Sequence, residues 1–359
     1  MRVYSQKMPE AHPTLCKDSK MNLSRQELIW LLRTEGEEAD AIFNWAAAHR
    51  KSYVGEKTYL RGLIEYSNIC RKNCLYCGIR KDNTNVSRYT LSREEVLAAA
   101  RYAWENRYGS IVLQGGENTS QVHIETIGQL IREIKTLSNN ELGITLSLGE
   151  QTEETYRRWF EAGAHRYLLR IESSCESLYR SIHPEDGNHE YTNRIEAIRS
   201  LRHAGYQVGT GVMIGLPGQS IENLVDDLLF MRDQDIDMCG MGPYLEHEQT
   251  PLYSRKEELW PLRKRFDRTL KMVALLRLLM PDINIAATTA LQAIDPKGRE
   301  KALRVGANVV MPNLTPVSYK GSYKLYENKP VTEWPDIPES EIGYDEWGDS
   351  VRFGKRSLK

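Results

Sequence analysis

The chain has 359 residues, 40% of them apolar, enough to bury a core the size of one large α/β domain. Its 48 lysines and arginines nearly cancel 49 aspartates and glutamates, leaving a net charge of −1. This balance shows no electrostatic footprint for nucleic acid and weighs against a tRNA substrate.

From the N-terminus, residues 1–20 hold Pro9, Glu10, Pro13 and Asp18 without an apolar h-region, so no signal peptide is expected and the stretch reads as a mobile tail. Residues 21–52 read as helices capping the bottom or side of the domain that follows. From there, β-branched runs alternate with helical patterns. The strand candidates are Tyr59–Ser67, Ser110–Gly115, Gly143–Leu148, Arg166–Ile171, Gln207–Ile214, Met238–Pro243, Ile283–Thr289 and Asn308–Met311. Helices between them open on a cap followed by acids: Ser92 before Glu94 and Glu95, Thr152 before Glu153 and Glu154, Ser220 before Glu222. Gly163 and Gly205 mark helix ends. Eight strands, each after the first preceded by a crossover helix, imply parallel pairing with right-handed connections, and eight is the number that closes a (β/α)8 TIM-type barrel. The predicted organisation is a barrel over 53–312 as a single domain, with the N-terminal helices before it and a Pro-, Tyr- and acid-rich C-terminal extension over 313–359. The longest apolar run, Met272–Leu276, stops at Arg277, far short of the roughly 20 residues a membrane span needs. A soluble, cytoplasmic protein is expected.

Six cysteines are present: Cys16, Cys70, Cys74, Cys77, Cys175 and Cys239. Three crowd into one loop, which reads as a metal site rather than a disulfide framework. The loop is Asn68-Ile69-Cys70-Arg71-Lys72-Asn73-Cys74-Leu75-Tyr76-Cys77-Gly78. Thiolates are the soft ligands that iron–sulfur clusters require. Three of them leave one corner of a four-iron cluster open, whereas an electron-transfer ferredoxin would close it with a fourth. A structural zinc site is the competing reading, but it needs a fourth ligand and the loop contains no histidine.

The spacing, with aromatic Tyr76 just before the last cysteine, resembles the signature of the radical S-adenosylmethionine (SAM) superfamily. That resemblance implies one 4Fe-4S cluster on Cys70, Cys74 and Cys77, with SAM chelating the open iron and a 5′-deoxyadenosyl radical as the product of its reductive cleavage. It also implies that Tyr76 packs against the SAM adenine. Other candidates fall at the same barrel end. Gly115, Gly116 and Glu117 follow the second strand, where small residues allow close backbone approach; in the family this stretch contacts the methionine amino group. Glu172 after the fourth strand can accept both ribose hydroxyls. Gly215 and Pro217 after the fifth would edge the adenine, and Arg194 would bind the methionine carboxylate by a charge-assisted pair. Singly, a glycine pair is usually a turn and a helical arginine usually solvated; their shared position gives them weight.

Within the superfamily the chain resembles the FeFe-hydrogenase maturase HydE over residues 52–325. The matching phrases include Cys70–Asn83, Val112–Glu117, Thr145–Glu150, Arg166–Glu172, Gly215–Gln219, Leu224–Phe230, Leu270–Ala274, Ala287–Ala290 and Gly306–Asn313. The resemblance implies H-cluster assembly on a small cysteine-derived iron–carbonyl–cyanide substrate, with partner maturases and an electron donor such as ferredoxin or flavodoxin. The substrate contacts it implies are Thr145, Arg170, Thr288, Thr289 and Tyr323, with Tyr319 and Tyr326 as alternatives to Tyr323. One positive fork and several hydroxyls suit a buried carboxylate; for Thr288 and Thr289 the competing reading is ordinary β-branched strand packing, and for Arg170 an ion pair with a barrel carboxylate such as Glu65 or Glu150. No cysteine follows Cys239, so a single cluster is expected, with Cys175 and Cys239 as buried neutral thiols. The alternatives are a methylornithine-synthase-like mutase, a biotin-synthase-like sulfur inserter (disfavoured because it needs a second cluster ligated from inside the barrel, with Cys175 and Cys239 as the only candidates), and a non-catalytic iron–sulfur carrier.

Overall fold

The protein was analysed as a computed structural model that describes residues 21–330 and 337–343. Cys16, the tail expected over 1–20 and most of the extension beyond residue 330 lie outside the described residues.

The chain enters through helices α1 (Arg25–Arg33) and α2 (Glu37–Val54). A Ser24–Glu27 capping box starts α1. Both helices lie on the barrel flank against the later helices Ile221–Asp233 and Leu262–Leu279, where Arg25 and Arg33 pair with Asp226 and Glu222. Then strands and helices alternate: β1 (Thr58–Ser67), α3 (Arg93–Glu105), β2 (Ser110–Gly115), α4 (Gln121–Leu137), β3 (Gly143–Ser147), α5 (Glu153–Glu161), β4 (Arg166–Leu168), α6 (Glu176–Ser181), α7 (Tyr191–His203), β5 (Gln207–Thr210), β6 (Met213–Ile214) and α8 (Ile221–Asp233). The remainder is β7 (Met238–Cys239), β8 (Gly242–Pro243), a 3-10 segment (Pro251–Glu258), α9 (Leu262–Leu279), β9 (Asn284–Ile285), α10 (Thr289–Ile294), α11 (Gly298–Arg304), β10 (Val309–Val310) and α12 (Val317–Lys320). A short β11 (Ile342–Gly343) pairs parallel with the start of β1.

The strands run β10-β1-β2-β3-β4-β5-β7-β9, all parallel. The ring closes at the β9–β10 seam through the Ala286–Val309 bridge and the Ala287 N–H donating to Val309. The (β/α)8 barrel expected from the alternation is therefore present. Its strands are nearly continuously buried because helices cover one face and lumen side chains the other. The expected caps hold: Ser92 and Ser220 form capping boxes, Thr152 accepts from Thr155, and Gly163 and Gly205 take φ of 119° and 97° past their helices.

Several strand readings change. The expected Gln207–Ile214 and Met238–Pro243 each break into two pieces, so that β6 pairs with β8 beyond the main ring. The expected Arg166–Ile171 ends at Leu168, and Ile283–Thr289 shrinks to Asn284–Ile285. Past Leu168 the neighbours still meet, through the Leu169 N–H on Gly209 and the Glu172 N–H on Gly211, but the positive φ of Glu172 interrupts the regular ladder.

Candidate active site

The first strand carries a register shift between Glu65 and Ser67, a bulge that bends its end just before the cysteine loop. The loop then lies across the C-terminal mouth of the barrel, the end where such barrels do chemistry. Its backbone is pinned at many points. Arg71 N–H donates to Glu117 at 2.8 Å, Leu75 to Ile182 at 3.1 Å, and Gly78 to Leu325 at 3.0 Å. Gly78 admits no side chain, because a Cβ would strike the Lys324 carbonyl and the His247 ring. Gly116 is equally confined: a Cβ would sit 2.7 Å from that of Cys70 and collide with the Ile69 carbonyl. Its close approach is thus to the cysteine loop itself, and Gly115 likewise faces Leu148 and the Ser67 carbonyl.

Cys70, Cys74 and Cys77 are partly exposed at this mouth. Burial among protein atoms pushes each thiol up from its usual value, Cys74 to about 12, and each of Cys74 and Cys77 is pushed further by the neighbouring sulfurs. Backbone N–H groups already meet the sulfurs: Glu117 donates to Cys70 Sγ at 3.3 Å, and Ile79 faces Cys77. Among the described residues no three His, Cys, Asp or Glu side chains gather around a single-ion position. Thiolates on one zinc must approach to about 4 Å of each other, whereas cluster corners hold them wider apart. Three sulfurs within electrostatic reach, with N–H donors aimed at two of them, fit a four-iron cluster.

Beside the loop lies a network of paired charges. Glu150 accepts from Arg194 Nε at 2.5 Å and Lys72 Nζ at 2.8 Å. Glu117 lies 3.6 Å from Lys72 and takes the Glu150 N–H at 2.8 Å. Burial pushes the Glu150 carboxyl up, but Arg194 and Lys72 outweigh it and hold it below its usual value. Burial dominates at Glu117, whose pKa is raised. Arg194 is buried and also donates to the Arg170 carbonyl at 2.6 Å, which removes the solvated-charge reading.

Arg170 does not stand free. Its fork is bidentate with Glu172, both contacts at 2.8 Å, and it donates to the Val212 carbonyl at 3.0 Å and to that of Gly240. The carboxylates expected as competitors are engaged elsewhere, Glu150 as above and Glu65 with Lys329 and Asn313. Glu172 holds a φ of 64°, a strained value for a side-chain-bearing residue. Sequence reasoning gave Arg170 and Glu172 separate ligands; the structure joins them as one unit.

Tyr76 packs among Leu75, Leu216, Tyr244 and Leu252, with His183 edge-on at 5.4 Å. His183 Nδ1 faces the Tyr179 carbonyl at 2.8 Å, which fixes Nε2 as the acceptor toward Tyr76. The Gly215–Pro217 turn is clamped by Gln219, whose Oε1 takes the Gly215 and Leu216 N–H groups at 2.6 and 3.2 Å. Gly215, at φ 85°, leaves room for the Arg265 side chain.

The expected substrate residues are divided. Thr145 is buried, lines a lumen cavity with Arg61, Leu168, Met238 and Cys239, and its hydroxyl has no partner among the described residues. Thr288 and Thr289 do not end a strand: Thr288 is the N-cap of α10 and Thr289 its first residue, so strand packing is not their role. Thr288 donates to the Met241 carbonyl at 3.2 Å, and Thr289 meets the Tyr326 hydroxyl at 2.8 Å. Tyr323 is buried beneath Lys329, while Tyr319 stacks on Tyr89 at 4.7 Å. Of the three tyrosines, Tyr326 is the one that touches the threonine pair. Cys239 is a buried thiol pushed up to about 12 by burial, and Cys175 is half-buried at the start of α6. Sequence reasoning missed Lys72, His183 and Lys329; none carries a motif of its own.

A parallel eight-membered barrel whose first strand feeds three thiols at its C-terminal mouth defines a radical SAM enzyme, and residues 64–231 match the model of the radical SAM superfamily. The chain is 47% identical, over 81% of its length and 80% of the relative's, to the [FeFe] hydrogenase maturase subunit HydE of Thermotoga maritima. It is 30% identical to 3-methylornithine synthase of Methanosarcina acetivorans, covering 80% and 79% of the two chains. It therefore belongs to the HydE family of the radical SAM superfamily. Among solved structures, methylornithine synthase (PylB) matches with a TM-score of 0.70 at 24% identity over 94% of this chain and 92% of that one. HydG from Carboxydothermus hydrogenoformans matches with 0.72 at 22%, over 85% and 71%. At these identities the likeness is one of fold. Membership in the superfamily implies a 4Fe-4S cluster and SAM. No helix among the described residues is long and apolar enough to cross a membrane.

Proposed function

We propose that this chain is a HydE-type hydrogenase maturase, carrying one 4Fe-4S cluster on Cys70, Cys74 and Cys77 and acting on a small cysteine-derived iron–carbonyl–cyanide substrate. The observation that carries it is the three-thiol loop with N–H donors already directed at its sulfurs, joined to the 47% identity with HydE. A cluster held by Cys70, Cys74 and Cys77 and reduced by an external donor would supply one electron to SAM, whose cleavage would release methionine and the 5′-deoxyadenosyl radical. The protein's part is to bind and orient. Tyr76 with the Gly215–Pro217 turn offers a shelf for the adenine, and Glu172 accepts from the ribose. Gly115, Gly116 and Glu117 take the methionine amino end, and Arg194 its carboxylate. On binding, that carboxylate shares Arg194 with Glu150. In the same way Arg170, held on Glu172, together with Thr288, Thr289, Tyr323 and Thr145, faces the substrate carboxylate. The expected setting is the cytoplasm, beside partner maturases and a ferredoxin or flavodoxin electron donor.

Anaerobic reconstitution should load about four irons per chain, and the loaded protein should release 5′-deoxyadenosine from SAM under reducing conditions. Cys77→Ser should lose both the visible absorption and the cleavage. About eight irons per chain, or cleavage retained without Cys77, would refute the assignment. A methylornithine-synthase-like mutase has the weaker support of 30% identity; turnover of lysine, with none of a cysteine-derived substrate, would favour it.

A further inference from the structure

One arginine lies outside every role above. Arg88 follows the cysteine loop and folds back against it. Its Nη1 donates to the carbonyls of Asn68 and Ile79 at 2.6 and 2.8 Å. Its Nη2 donates to those of Arg80 and Asn83 at 2.6 and 3.0 Å, with Lys81 at 3.4 Å. Asn68 precedes the first cysteine and residues 79–83 follow the last, so one guanidinium spans both flanks of the ligand loop. A planar fork with five N–H groups can do this; an ammonium cannot.

The charge balance is as telling as the geometry. On the far side of the loop, Arg71, Lys72 and Arg194 share the carboxylates of Glu117 and Glu150. No carboxylate among the described residues pairs with Arg88; its partners are carbonyl oxygens alone. Its charge therefore has no ion-pair partner among the described residues, and its Nη1 sits on the carbonyl two residues before Cys70. Around an iron–sulfur cluster, nearby net charge and hydrogen bonding set the reduction potential.

We propose that Arg88 is a positioning residue for the cluster, closing the cysteine loop into its ligating shape and supplying an unpaired positive charge that eases the cluster's reduction. The inference rests on the cluster assignment above. It deepens that reading by separating two jobs of one side chain, clamp and charge.

Arg88→Lys keeps the charge and loses the clamp; Arg88→Met loses both. In the cluster-free protein, alkylation of Cys70, Cys74 and Cys77 by iodoacetamide should become at least about tenfold faster in both variants, the effect of losing a charge-assisted contact. In reconstituted protein, an EPR-monitored redox titration should give Arg88→Met a lower midpoint potential and Arg88→Lys one near that of the unaltered protein. Arg88→Lys keeps the alkylation test available if Arg88→Met does not fold. Unchanged alkylation in both variants, or an unshifted potential in Arg88→Met, overturns the proposal. If the unaltered protein itself fails to take up about four irons, the cluster assignment fails first, which keeps the two apart.

Discussion

The two sides of the barrel mouth are built differently. On the cysteine-loop side the strands are long, with β1 of 10, β2 of 6 and β3 of 5 residues, and five charged side chains pair among themselves. Across the mouth β7 and β9 have 2 residues each, and the side chains gathered there are hydroxyls: Thr288, Thr289 and Tyr326. Buried ion pairs fix direction and are costly to break, because removing one partner strands the other's charge. A hydroxyl pair exchanges partners at the cost of about one ordinary hydrogen bond. The cluster side is thus rigid by construction, while the side proposed to receive substrate can trade its internal contacts for a ligand's.

That contrast can be broken in graded ways. Glu150→Gln leaves Lys72 and Arg194 without their shared anion, and should cost about 3–5 kcal/mol of stability in urea unfolding. A loss under about 1 kcal/mol would show that the network is not what holds this side. Next in size is Arg170→Met, which releases Glu172 from its bidentate partner. SAM affinity should fall about tenfold to hundredfold, together with substrate turnover. Intact SAM binding with turnover abolished would assign Arg170 to the substrate alone.

The cluster side should also respond to acid. Burial lowers the pKa of His183 to about 3 and that of His123 to about 4. Unfolded histidine takes its proton near 6.5, while the folded protein refuses it until these lower values, so protons favour unfolding. Stability should be complete above pH 6.5 and fall by about 1.4 kcal/mol per pH unit for each histidine down to about pH 4. A His183→Gln variant should show a shallower slope in the same thermal-midpoint series; an identical slope would exclude His183. The smallest effect belongs to the opposite side. Thr289→Val removes one bond to Tyr326 and should cost about 1 kcal/mol or less, with SAM affinity unchanged.

Sequence alone determined the local and the periodic. The C-x3-C-x2-C loop, the eightfold alternation, the caps at Ser92, Thr152 and Ser220, and the helix-ending Gly163 and Gly205 all depend on neighbours within a few residues, so their chemistry is written contiguously. Tertiary structure decided which charges meet. Arg194 closes on Glu150 across 44 positions and Lys329 on Glu65 across 264, and no spacing rule encodes such pairs. It also decided that Arg170 holds Glu172: alternation along a strand predicts a shared face, but β4 ends at Leu168 and the backbone then turns through the positive φ of Glu172. The same holds for Thr288 and Thr289, which have strand propensity in sequence but open α10 in the fold, where their hydroxyls meet the Met241 carbonyl and the Tyr326 hydroxyl, partners 47 and 37 positions away.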